Sequence, residues 1–117
     1  MNTPTDKNES WLLPLDERNF DETLAVAEGV LMVDFWAEWC GPCRAVAPAL
    51  EDLARTSGGA VTLGKVNVDE SPALAARYGI RSIPTILLVK DGKVRDQVIG
   101  AVPKQQIKAK LDALARA

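Results

Sequence analysis

From Val30 to Trp36 every residue but Asp34 is apolar. A run of that length, opened by Gly29, reads as a strand covered on both faces. Downstream, Val46, Leu50 and Leu53 recur at i, i+4 and i+7, which predicts a helix over 41–56 with one buried stripe. Pro48 falls inside it and is expected to kink it, and Gly58 and Gly59 stop it. Upstream, the short apolar run 11–15 suits an edge strand. A helix follows, with Asn19 as its cap, Glu22 as the capping-box partner, Phe20 and Leu24 on its inner face, and Gly29 at its end. Residues 61–68 form the next strand. Ser71 and Pro72, as N-cap and first helical residue, open a short helix that Gly79 closes. The β-branched and aliphatic stretch 85–89 is a strand, Asp91-Gly92 a two-residue hairpin turn, and 93–99 the strand that pairs back. A last helix starts near Pro103 with Ile107, Leu111 and Leu114 on one face.

The predicted order is β-α-β-α-β-α-β-β-α. Strands separated by helices favour parallel crossovers, and the closing hairpin adds antiparallel strands, so the expectation is an α/β fold: a mixed sheet with helices on both faces. At 117 residues and 47% hydrophobic, the chain has enough apolar surface for one domain without staples. Residues 1–10 are polar and without periodicity, and are expected to be a disordered leader before a domain at 11–117.

Charge adds little. Fourteen basic and sixteen acidic residues leave a net charge of −2 with neither sign concentrated, which argues against a nucleic-acid surface. No apolar run reaches the roughly 18 residues of a membrane span. The leader carries Asp6 and Glu9 and lacks the apolar stretch of a signal peptide, so the expected location is cytoplasmic. With no histidine and only two cysteines, a CxxC zinc site would lack half its ligands, so no metal and no cofactor are expected.

Those two cysteines, Cys40 and Cys43, stand between the buried strand and the helix. The first thereby lies at a helix N-terminus, where free N–H groups and the macrodipole favour an anion, and so the reactive thiolate. The second lies one turn on, close enough to attack the first sulfur and expected to be the less exposed. Pro42 stiffens the turn. The segment VDFWAEWCGPC resembles the active-site segment of the thioredoxin family. The likeness continues through Lys65-Val66-Asn67-Val68-Asp69, Tyr78-Gly79-Ile80-Arg81, Ile83-Pro84-Thr85, Lys90-Asp91-Gly92 and Gly100-Ala101, nearly the whole chain apart from the leader.

The resemblance implies the thioredoxin fold, with a central five-stranded mixed sheet flanked by four helices. It also implies dithiol–disulfide exchange in which Cys40 is the nucleophile, Cys43 resolves the mixed disulfide, and the two form the redox disulfide. It implies a buried Asp34 that shuttles the proton of Cys43, with Lys65 as its neighbour. It implies a cis bond at Ile83-Pro84 facing the dithiol, and a substrate rim of Trp39, Gly41, Pro42, Val68, Ile83, Pro84, Gly100 and Ala101. Trp36 is read as a packing aromatic beside the site. Implied partners are a thioredoxin reductase and proteins with disulfides. A monomer is expected, because the one obvious exposed apolar patch is the rim around the dithiol. Ser82, Val89 and Arg44 depart from the family's commonest residues, and Ser82 adds a side chain at the substrate groove. Two other functions remain open at this point. One is a specialised oxidase or isomerase, against which the Gly-Pro dipeptide speaks. The other is a binding subunit that uses the rim but not the thiols.

Overall fold

The computed structural model describes residues 10–117, so the leader expected over 1–10 lies, apart from Ser10, outside the described residues. In chain order the elements are β1 (Leu12–Leu15), α1 (Phe20–Val26), β2 (Val30–Trp36), α2 (Gly41–Arg55), β3 (Val61–Asn67), α3 (Pro72–Arg77), β4 (Thr85–Lys90), β5 (Lys93–Ile99) and α4 (Lys104–Arg116). They form one five-stranded sheet in the order β1-β3-β2-β4-β5. The most apolar strand, β2, lies at its centre.

Alternation along β2 divides the core into two layers. Val30 and Met32 face α2 and α4, where they pack with Val46, Leu50, Leu53, Ile107 and Leu111. Leu31, Val33 and Phe35 face the opposite layer, with Phe20 and Leu24 of α1 and Leu74 of α3. Asp34 belongs by this alternation to the α2 side.

The sheet is mixed, as expected, but one of the helical connections does not give a parallel strand. β1 and β2 both run parallel to β3, but β4 is antiparallel to β2. The reason is length. Six helical residues rise about 9 Å, whereas β3 advances about 23 Å over seven residues. So α3 cannot carry the chain back to the end of the sheet where β3 begins. β4 instead starts near the end where β3 stops and runs the other way. The hairpin to β5 is as expected: Asp91 and Gly92 both have positive φ, 56° and 76°, the pair of conformations a two-residue primed turn requires.

Two caps differ from their sequence reading. Asn19 makes no side-chain cap and Glu22 no reciprocal bond among the described residues. The Asn19 amide is turned back instead, accepting from the Asp16 N–H at 2.8 Å and donating to the Pro14 carbonyl at 3.1 Å. Asp16 in turn accepts the N–H groups of Arg18 and Asn19. The turn after β1 thus uses the polar groups that a capping box would have needed. At α3, Ser71 makes no side-chain cap either. The carboxylate of Glu17, from that same turn, accepts the Ala73 N–H at 3.0 Å. Pro48 stands within an unbroken α2.

Gly29 and Gly58 both have positive φ, 70° and 67°, but only at Gly29 would a side chain collide with backbone, at the Ala60 carbonyl oxygen. That oxygen also accepts the Val30 N–H that starts β2. Gly58→Ala is expected to cost about 1 kcal/mol through left-handed strain, and Gly29→Ala about 3 kcal/mol once the clash is added. Urea melts of the two variants check this, and equal costs would show that β2 can shift away from Ala60.

Candidate active site

Phe35, near the end of β2, and Ala37, just past it, are fully buried, and the chain then turns, with the Cys40 N–H donating to the Ala37 carbonyl at 3.2 Å. Cys40 caps α2 in an extended conformation, φ −93° and ψ 105°, and its Sγ accepts the Cys43 N–H at 3.1 Å. A serine or aspartate oxygen usually fills this place, because the first N–H groups of a helix have no partner inside it. Here a sulfur fills it. The first turn of α2 carries no acidic residue, so no carboxylate competes for the positive end of the helix dipole. Cys40 and Cys43 are joined in a disulfide with their Cα atoms 5.3 Å apart. The structure is therefore the oxidised state.

Around the disulfide, Trp36, Val68 and Ile83 pack against Ala37 and both cysteines. Cys40 Sγ lies 3.7 Å from the Ile83 carbonyl oxygen, and the Ile83-Pro84 peptide is cis. The carbonyl of Pro84 accepts the Gly100 N–H at 2.8 Å, which ties the end of β5 to the site. Trp39 stands out from the surface, 68% exposed, with its indole N–H held by the Asp69 carboxylate at 2.9 Å. Beside the sulfur runs a groove of about 450 Å³ lined by Trp39, Val68, Ala75, Ile80, Arg81, Ser82 and Ile83. No cluster of three or more metal-ligating side chains occurs among the described residues.

The thioredoxin family model matches residues 12–113. The chain belongs to the thioredoxin family. It is 50% identical over 96 residues to thioredoxin 2 of Chlorobaculum tepidum, an alignment covering 82% of this chain and 88% of the relative. It is also 50% identical over 93 residues to a thioredoxin of Rhodospirillum rubrum, covering 80% and 89%. A chloroplastic M-type thioredoxin of maize is 48% identical over 97 residues, covering 83% of this chain but only 58% of the longer relative. With the Cys40–Cys43 pair, this thioredoxin is a protein-disulfide oxidoreductase working by dithiol–disulfide exchange.

In this thioredoxin the residues singled out from sequence gather unevenly. Trp39, Val68 and Ile83 line the groove, and Gly41 and Pro42 are exposed at the start of α2. Pro84 is buried beneath it, and Gly100 and Ala101 lie at the end of β5, outside the groove lining. Cys43 was expected to be less exposed than Cys40, yet the two are equally covered, at 3% and 4%. What separates them is position: Cys40 lies outside the helix as its cap, and Cys43 lies inside its first turn. Ala75, Ile80 and Arg81 were not assigned to the rim, nor Asp69 to Trp39. The turn at Gly79 and the proline at 84 were the available signal, since together they leave 80–83 as a loop without strand partners.

Asp34 is 1% exposed, and neither carboxylate oxygen has a hydrogen-bond partner. Lys65 is its register partner on β3, but the ammonium lies over the Trp36 ring, 4.7 Å from its centroid, and forms no ion pair with Asp34 among the described residues. Burial therefore dominates and pushes the Asp34 carboxyl from 3.8 up to about 6; Lys65 pulls it down, and Glu51 of α2 adds to the rise. Below about pH 4 both the folded and unfolded chains are protonated there and burial carries no ionisation cost. As pH rises towards 6 the unfolded chain ionises first, so stability falls, and above that range the full cost of about 3 kcal/mol applies. Asp34→Asn in the oxidised protein is expected to be more stabilising at pH 8 than at pH 3.5 by about that 3 kcal/mol. Urea melts at the two pH values measure it, and an equal effect at both would mean that Asp34 is well solvated.

Proposed function

We propose that this thioredoxin acts as a general reductant of protein disulfides, recharged by a thioredoxin reductase that draws its electrons from NADPH. The observation that carries the reading is Cys40 Sγ as the cap of α2 beside an open apolar groove. The Cys40 thiolate attacks one sulfur of a substrate disulfide; that S–S bond breaks, and the other substrate sulfur leaves as a thiolate. Cys43 gives its proton to Asp34 and attacks Cys40 Sγ. The second substrate sulfur then leaves, and the two electrons gained by the substrate leave Cys40 and Cys43 as a disulfide. An Asp34 carboxyl with a pKa near 6 suits the acceptor role, being largely ionised at neutral pH and able to take a proton. Lys65 is assigned a supporting part, steadying the charge of Asp34 from the neighbouring strand.

Trp39, Gly41, Pro42, Val68, Ile83, Pro84, Gly100 and Ala101 form the proposed contact rim. The loop 80–83, exposed at Arg81 and Ser82 and without a strand partner, offers an extended substrate partners of the kind a sheet edge offers. The redox pair lies within the chain, so no external cofactor is needed for the exchange. The proposed working form is a monomer in the cytoplasm. A reducing compartment suits the direction of the reaction, and no helix among the described residues is long and apolar enough to cross a membrane. The chloroplastic maize relative makes an organelle the competing location.

Cys40→Ser is expected to abolish reduction of a protein with interchain disulfides, by more than about 100-fold, since the attacking thiolate is gone. Cys43→Ser is expected to stop after one attack and accumulate a mixed disulfide visible by mass. Turnover of Cys43→Ser at the wild-type rate would contradict the division of roles.

A further inference from the structure

Arg77 ends α3 and Arg81 follows in the loop after it, and their guanidinium groups meet different fates. Arg77 is committed to Asp21 of α1 at 2.6 Å. Arg81 is exposed and makes no ion pair and no side-chain hydrogen bond among the described residues. It lines the groove beside Cys40 together with Trp39, Ile80 and Ile83. It also lines a second, smaller groove of about 240 Å³ on the other side of the 80–82 ridge, with Tyr78 and the exposed Ile99. A cation set between two partly apolar walls is less screened than one in open water, so a carboxylate laid against it is held more strongly.

Across Trp39 the charge reverses. Trp39 also borders a depression lined by Glu38, Asn67, Asp69 and Glu70. Arg44, the cation bonded to Glu38, donates to its carbonyl oxygen. The approach to Cys40 therefore has a basic wall at Arg81 and an acidic one beyond Trp39.

We propose that Arg81 is a specificity-determining residue, pairing with an acidic side chain of the substrate about two residues from the cysteine that Cys40 attacks. The inference rests on the disulfide-reducing role proposed above and adds the substrate's charge pattern to it. Ile83, whose carbonyl touches Cys40 Sγ, stands two residues beyond Arg81, at most about 7 Å along the chain. Two residues of extended substrate cover the same distance and place their side chains on the same face. The acidic wall repels a carboxylate on the other flank, so the two walls together favour one direction for the bound segment.

The test uses the reduced protein and a set of peptide disulfides that differ only in carrying Glu, Gln or Lys two residues before or two residues after the cysteine. The readout is the ratio of kcat/KM values for the Glu and Gln peptides within each variant, so that any general loss of activity cancels. For wild type at low salt, the Glu peptide is expected to be about 3-fold faster than the Gln peptide at one of the two positions, and the Lys peptide slower. The preference shrinks as salt is added. In Arg81→Gln the ratio falls to about 1, and in Arg81→Glu it inverts. A wild-type ratio of 1 at both positions, or a ratio that Arg81→Gln and Arg81→Glu leave unchanged, overturns the assignment to Arg81. Failure of wild type to reduce any of the peptides overturns the disulfide-reducing role itself, and the inference with it.

Discussion

The first N–H groups of α2 have no partners within the helix, and the one on Cys43 is given the sulfur of Cys40. The rest of the site follows from that substitution of sulfur for the usual cap oxygen. It requires the helix to begin where it does, immediately after a strand rigid enough to fix the cap residue. β2 supplies this, with backbone neighbours on both sides and apolar layers on both faces. It also requires that nothing else neutralise the helix end, and the first turn carries no carboxylate. The Ile83 carbonyl lies against the sulfur, and Ile83 and Trp39 also line the groove beside it.

Asp34 runs against the logic of the core that surrounds it. Its neighbours along β2 contribute stability by burial, while it is buried with both oxygens unpartnered. Lys65 shares its register but leans on Trp36 rather than closing an ion pair. A closed pair would hold the carboxylate ionised at low pH and leave it a poor proton acceptor near neutrality. Left open, the group is pushed up to about 6 by burial, at a cost in stability, and that value is what the proposed acceptor role needs.

Much of this was legible in the chain, for reasons that can be named. The run 30–36 and the stripe Val46, Leu50 and Leu53 are long, strongly periodic signals, and both elements stand where they were expected. Asp91-Gly92 specifies its turn by backbone conformation alone. The caps at Asn19 and Ser71 were misread because a capping side chain chooses among partners that lie near it only after folding. Asn19 found the turn after β1, and α3 was capped by Glu17 from a distant loop. The direction of β4 depended on the length of α3 rather than on its presence. Within the site, the cysteines and Trp39, Val68 and Ile83 were readable by motif. Ile80 and Arg81 were not, because loop residues carry no periodicity, and Ala75 was not, because α3 is too short for a face to show in its sequence.

The claim on which the site rests is that α2 favours the thiolate of Cys40 over that of Cys43 by position, not by exposure. It is tested most directly by alkylating the reduced protein rapidly across a pH series and locating the modified cysteine at each pH by mass. Modification is expected at Cys40 first, beginning at a pH well below that at which an ordinary cysteine reacts, with Cys43 following only at higher pH. Equal rates at the two cysteines, with the pH profile of an ordinary thiol, would contradict it.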